Sequence, residues 1–105
     1  MNELNIAGKV IGKPEIKTSE NGNNYAQLLL KVKRSYKNKD NSVDSDIFQL
    51  TLFNHCIEDS KDILNDGNSV IVKGHVSTNN FPKDGKTIYS TSIIADHICP
   101  IENFV

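Results

Sequence analysis

Cations and aromatic rings occur together in two segments of the chain. Five lysine and arginine residues fall between positions 31 and 39, with Tyr36 among them. Two aromatic residues and two lysines lie between positions 81 and 89. Ammonium groups neutralise phosphates, and aromatic rings stack on the flat faces of unpaired bases. The two segments therefore predict contacts with a single-stranded nucleic acid.

The candidate contact residues are cations and rings that we expect on outer strand faces and at loop or hairpin positions. They are Lys9, Lys31, Lys33, Arg34, Tyr36, Lys37, Phe53, Lys73, Phe81, Lys83, Lys86 and Tyr89.

Strands must position most of these side chains. Turn residues divide the chain into strand-length pieces at 4–11, 25–36, 46–54, 70–80 and 87–98, with a short extended piece at 16–18. Asn21-Gly22 and Asp84-Gly85 predict hairpin turns, with both residues of Asn21-Gly22 tolerating a positive φ. Gly74 predicts a bulge or bend.

One helix is predicted between the third and fourth long strands. An apolar stripe runs from Ile57 to Leu64, and Asp66-Gly67 predicts the end of the helix. This order predicts an all-β fold, a five-stranded Greek-key OB-fold barrel with one helix between strands 3 and 4. We expect it to be a single domain over residues 1–105. An open α+β sheet is the structural alternative.

Strand alternation assigns the faces of these strands. The even-numbered residues 26–32, 48–52 and 70–76 predict the core. Lys31, Lys33 and Lys73 then face outward, and so do Ile47 and Phe53. An isoleucine and a phenylalanine on an outer face indicate either a binding platform or cover by a second layer.

The composition excludes several other classes of protein. Apolar residues make up 37% of the chain, without a run long enough to span a membrane, and the N-terminus lacks a secretory signal, so we expect a cytoplasmic, nucleoid-associated protein. The net charge of −1 is low for a nucleic-acid binder, although a neutral protein can carry a basic groove. Cys56 and Cys99 are 43 positions apart and predict reduced thiols. Neither metal-ligand spacing nor a phosphate-binding glycine loop is present, so we expect no metal, cofactor or catalysis.

The chain resembles the bacterial and phage single-stranded DNA-binding proteins over nearly its whole length. The resemblance rests on residues 4–15, 18–23, 52–54, 64–74 and 84–91 in this order and spacing. It implies an OB-fold, assembly as a homotetramer or homodimer, and action in replication, recombination or repair. It also implies that Tyr36, Phe53 and Phe81 occupy base-stacking positions.

The chain departs from the family in three respects. Ile47 stands at a stacking position, and Gln49 stands where a basic residue is common. The family usually ends in a flexible linker with an acidic tip that recruits replication proteins, whereas this sequence stops at residues 101–105. We therefore expect either that this docking function is absent or that the chain is a trimmed form.

Two other functions remain open from the sequence. The near-neutral charge and the missing tail also suit an OB-fold protein-interaction module, such as a primosome or polymerase accessory factor, with weak or no affinity for single-stranded DNA. A thiol enzyme using Cys56 beside His55 is a third hypothesis, with no orienting acid evident.

Overall fold

A computed structural model describes residues 1–101 as six strands and one helix. The elements are β1 (Leu4–Ile11), β2 (Ile16–Thr18), β3 (Asn24–Lys33), β4 (Ser45–Phe53), α1 (Asn54–Ser60), β5 (Ser69–Lys83) and β6 (Lys86–Pro100). The acidic-tail expectation concerns the end of the chain, and residues 102–105 lie outside the described part.

Five of the strands close into a barrel because β1 pairs with two neighbours. The order around the barrel is β1–β5–β6–β4–β3, and β3 pairs back onto β1 from Lys9 opposite Lys31 to Ile11 opposite Leu29. The short β2 extends the sheet at the edge of β3. The predicted five-stranded barrel, with its helix between the third and fourth barrel strands, is confirmed.

Glycine permits β1 to cross from β5 to β3. A Cβ atom at Gly8 would fall against the backbone carbonyl oxygen of Lys31. The strands can therefore approach closely enough to close the barrel only with glycine at this position.

The core lies where strand alternation placed it. Leu28, Leu30, Leu50 and Leu52 are fully buried, and the even-numbered residues of β5 up to position 74 are buried with them. The residues between them face outward, since neighbouring side chains along a strand point to opposite faces. The predicted core faces of β3 and β4 are confirmed, and that of β5 is confirmed as far as Gly74, whereas Val76 is only partly buried.

The helix is shorter than the sequence predicts, and Asp66-Gly67 does not end it. It ends at Ser60, whose hydroxyl donates to the backbone carbonyl of Cys56. Residues beyond it form turns, and Gly67 adopts a positive φ of 85° within them. The Gly67 N–H donates to the Val10 carbonyl at 2.8 Å, so this glycine docks a loop on β1. The left-handed conformation predicted for Gly67 is present, but the prediction that Gly67 ends the helix is wrong.

The two hairpin turns differ in type. Asp84 and Gly85 both have positive φ, 51° and 76°, as a two-residue type I′ turn requires. In the first hairpin Gly22 alone has a positive φ, and its N–H donates to the Ser19 carbonyl at 2.9 Å. That geometry is typical of a type I turn followed by a glycine bulge, so the predicted turn is present with a positive φ at Gly22 alone.

The predicted irregularity at Gly74 is present. Lys73 lies opposite His97 and Gly74 lies opposite Ala95, which leaves Asp96 of β6 as the extra residue of a bulge. A Cβ at Gly74 would fall against the carbonyl oxygen of Ile94. The close approach of the two backbones explains the glycine.

Candidate nucleic-acid interface

The outer surface of β3 and β4 carries a mixture of apolar, amide and cationic side chains. We call it the outer β3–β4 face, and it consists of the directly opposed pairs Lys31–Ile47, Leu29–Gln49, Gln27–Thr51 and Tyr25–Phe53. Three of its apolar side chains are largely open to solvent: Ile47 is 62% exposed, Phe53 45% and Leu29 41%. Exposed apolar groups in one continuous patch are typical of a binding surface.

Three lysines gather at one end of this face. Lys9 lies directly opposite Lys31, and both line a shallow groove together with Lys33. Like charges placed directly opposite each other destabilise a sheet. Within residues 1–101, none of the three forms an ion pair. A bound phosphate would relieve this repulsion, so the groove is suited to an anion.

Two further residues occupy the other end of the face. Tyr25 lies opposite Phe53, and Lys17 of β2 lies opposite Tyr25, which forms a row across three strands. Sequence reasoning missed both residues. The signal was available for Tyr25, because it shares the odd-numbered alternation of Leu29 and Lys31. For Lys17 it was absent, since three residues of β2 are too few to show an alternation.

Arg34 is engaged within the protein. Its guanidinium donates to both carboxylate oxygens of Asp46, at 2.9 Å from Nη2 and 3.2 Å from Nε, and to the Tyr36 hydroxyl at 3.2 Å from Nη1. The hydrogen bonds from Arg34 hold the pKa of the Asp46 carboxyl below its usual range. Arg34 therefore positions the exposed Tyr36 ring, and the carboxylate of Asp46 compensates the positive charge of the Arg34 guanidinium.

The hairpin of β5 and β6 presents its candidate residues on two faces. Phe81, Lys83 and Lys86 share one face, since Phe81 opposes Ile88 and Lys83 opposes Lys86. Tyr89 opposes Asn80 and so lies on the other face, 73% exposed. The structure thus brings Phe81 together with the two lysines and separates Tyr89 from them.

The hairpin and the loop of residues 34–44 lie at the same end of the barrel. β6 runs parallel to β4 and pairs with it at Leu50–Ile93 and Thr51–Ile94. The tip of the hairpin therefore projects toward the Ser45 end of β4, which the loop carrying Tyr36 and the exposed Lys37 precedes.

Lys73 lies apart from the other lysines. It faces outward on β5, opposite Asn5 of β1 and His97 of β6. β5 is two strands away from β3 around the barrel. Lys73 is thus not part of the outer β3–β4 face.

A histidine, an aspartate and a cysteine, the residue types of a thiol catalytic site, line the groove beside Phe53. His75 Nδ1 lies 2.8 Å from Asp96 Oδ2, and Cys56 lines the same groove. Burial raises the pKa of the Cys56 thiol, which opposes the thiolate that a nucleophile requires. Across residues 1–101 there is no cluster of side chains that could hold a metal ion, and no helix is long and apolar enough to cross a membrane.

Known proteins resemble the chain in both sequence and fold. The model of the "Single-strand binding protein family" matches residues 1–101. Single-stranded DNA-binding protein 1 of Staphylococcus aureus strain Mu50 is 29% identical over 99 residues, covering 93% of this chain and 64% of that protein. The single-stranded DNA-binding protein of Oceanobacillus iheyensis is 26% identical over 99 residues, with 93% and 62% covered.

Among solved structures, the wild-type single-stranded DNA binding protein from Thermus aquaticus superposes with a TM-score of 0.79 at 19% identity. The superposition covers 97% of this chain and 50% of that one. A deletion mutant of the same protein gives a TM-score of 0.76. The OB-fold is thereby confirmed, and the chain spans less than two thirds of the length of these relatives.

Proposed function

The chain belongs to the single-strand binding protein family, and from this premise we propose that it is a non-catalytic protein that binds single-stranded DNA. The outer β3–β4 face carries the proposal, because exposed Ile47 and Phe53 alternate there with amides and lysines. Bases stack on the exposed rings and phosphates contact the lysines, a mode that does not depend on sequence. The raised pKa of the Cys56 thiol supports the absence of covalent catalysis.

The DNA path follows the face along its strands. Phosphates contact Lys9, Lys31 and Lys33 at one end, where they compensate the repulsion among the three ammonium groups. Phe53 stacks a base at the other end, and the hairpin contributes Phe81 with its neighbouring lysines. Arg34 contributes less directly than the lysines, because its guanidinium is paired with Asp46.

We further propose that the domain over residues 1–105 assembles with copies of itself, as a homodimer or homotetramer. An outward row of Ala7, Ile71 and Cys99 crosses β1, β5 and β6. Ile71 is 46% exposed in the monomer, which supports an apolar contact on this side. The proposal includes a cytoplasmic, nucleoid-associated role in replication, recombination or repair, which membership of the family supports.

Titration with dT oligomers of increasing length tests the function. Tyrosine emission reports binding, since the chain contains three tyrosines and no tryptophan, and the mass in solution gives the number of subunits. We expect saturable binding that weakens with salt. Absence of both a tyrosine quench and a gel shift at low salt contradicts the proposal and favours the protein-interaction module.

A further inference from the structure

We propose that Tyr25 and Lys17 form an additional base-and-phosphate subsite beside Phe53, at the helix end of the outer β3–β4 face. This inference rests on the proposed function and deepens it. It extends the DNA path across β2, away from the hairpin of β5 and β6.

The sheet register places the three side chains in a row. Lys17 opposes Tyr25, and Tyr25 opposes Phe53. Directly opposed residues in an antiparallel pair have Cβ atoms about 5 Å apart. The two rings are therefore neighbours on a single surface, with an ammonium group beside them. Phe53 is 45% exposed and Tyr25 is partly buried.

Tyr25 lines a groove whose side chains can bind both a base and a phosphate. The groove has a volume of about 470 Å³ and is lined by Glu15, Lys17, Tyr25, Gln27 and Gln49. Its glutamine amides can donate to and accept from the edge of a base, and its ring can stack on the face of the base. Lys17 supplies a charge for the phosphate. The carboxylate of Glu15 repels a phosphate. The base of the DNA therefore occupies the groove, and the DNA backbone lies on the side of Lys17.

The structure holds this subsite in place without the Tyr25 hydroxyl. The Asn54 side-chain oxygen accepts from the Asn24 N–H at 3.0 Å, and Thr18 Oγ1 donates to the Asn24 side chain at 2.9 Å. The first bond joins β3 to the start of α1, and the second joins β2 to β3. The Tyr25 hydroxyl has no hydrogen bond to any side chain or backbone group of residues 1–101, so the ring remains available for a ligand.

The subsite sets the length of the path. Tyr25 and Lys33 are eight residues apart on β3, which corresponds to about 27 Å of strand. A strand that reaches both ends therefore contacts Tyr25 and the lysine groove at once, whereas a short oligomer occupies only part of the path.

A protein with a single tyrosine tests the contact directly. The double variant Tyr36→Phe, Tyr89→Phe leaves Tyr25 as the only tyrosine in a chain without tryptophan. Binding of end-labelled dT oligomers is followed by anisotropy, and tyrosine emission is recorded in the same titration. We expect the emission to fall in step with binding. Binding without a change in emission overturns the subsite and leaves the proposed function intact, whereas absence of binding overturns both.

The matched control keeps Tyr89 instead, through Tyr25→Phe and Tyr36→Phe. Tyr89 lies on the hairpin face opposite Phe81, so we expect a smaller quench. An equal fractional quench in the two proteins contradicts a local contact at Tyr25.

Affinity gives a second measurement. Tyr25→Leu removes the ring but keeps an apolar strand residue, and we expect dT affinity to fall between about 5-fold and about 150-fold. Tyr25→Phe should bind like the parent protein. Glu15→Gln should bind more tightly, because it removes the repulsive carboxylate. Unchanged affinity in Tyr25→Leu, with a urea unfolding curve like the parent's, overturns the proposal.

Discussion

Replacement of Ile47 by tryptophan should strengthen DNA binding. Ile47 is 62% exposed at the lysine end of the outer β3–β4 face, directly opposite Lys31. A base stacked on an aromatic ring contributes about 1–3 kcal/mol. Because isoleucine already offers apolar surface, we expect a gain in the lower part of this range. About 1–2 kcal/mol corresponds to about 5- to 30-fold tighter binding.

The substitution should leave the fold intact. The side chain at position 47 does not contribute to the buried core, so its volume is unconstrained, and aromatic residues are well tolerated in strands. A gain of affinity also cannot result from partial unfolding, which makes Ile47→Trp more informative than the removal of a ring.

The assay combines affinity with fluorescence. Anisotropy of labelled dT oligomers is measured at several salt concentrations, and the emission of the introduced tryptophan, then the only one in the chain, reports stacking. We expect tighter binding at every salt concentration with an unchanged slope of log K against log salt, since a ring adds no phosphate contact.

Ile71→Trp is the matched control. Ile71 is likewise an exposed strand isoleucine, 46% accessible, but lies on the outward side of β5. Because Ile71 lies in the proposed contact between copies, the mass in solution is measured alongside, and at the parent's mass DNA affinity should be unchanged. The reasoning fails if Ile47→Trp binds like the parent with unquenched tryptophan, or if Ile71→Trp shows the same gain.

Three further substitutions test the groove, the core and the loop. The double variant Lys31→Gln, Lys33→Gln should bind DNA more weakly and reduce the slope of log K against log salt by about 1.4, or about 0.7 for each lost phosphate contact; an unchanged slope contradicts the phosphate role. Leu28→Ala should lower the free energy of unfolding by about 2–5 kcal/mol in urea titrations, because Leu28 is fully buried; a loss within error of zero contradicts the core assignment. Asp46→Asn should shift the urea midpoint downward at pH 7 relative to the parent. The hydrogen bonds from Arg34 lower the pKa of Asp46 in the folded state, so its contribution is present above the unfolded pKa of about 4 and is lost as the pH falls through the folded value. The difference in urea midpoint between Asp46→Asn and the parent should therefore narrow toward pH 2. A difference that stays constant with pH contradicts a contribution from the ionised Asp46.

The barrel could be predicted because β3, β4 and the first half of β5 each have one buried face and one outward face. Leu28 and Leu30 of β3 and Leu50 of β4 lie at alternate positions on the buried face, and a slip of one position would expose all of them. The two hairpin glycines could be predicted because a positive φ favours glycine, whereas Gly74 is required by the close approach of the Ile94 carbonyl. The end of the helix was misplaced because Gly67 serves the turn that follows.

The binding surface was harder to predict because its geometry depends on partners distant in sequence. The interaction of Arg34 with Asp46 joins the residue that follows β3 to a residue of β4 twelve positions later. The separation of Phe81 from Tyr89 depends on the register of the hairpin, which the two-residue turn at Asp84-Gly85 sets. Lys17 lies beside Tyr25 only because β2 pairs with β3.

Closure of the barrel by β6 has a consequence for synthesis of the chain. β6 is the last of the six strands to leave the ribosome, yet it pairs with both β4 and β5. Until it emerges, both strands present open edges, which are prone to pair with other chains. Leu50 and Thr51 meet Ile93 and Ile94 across more than forty positions. The barrel therefore cannot close before β6 has emerged, and rapid closure then limits the time for which these edges can pair with other chains.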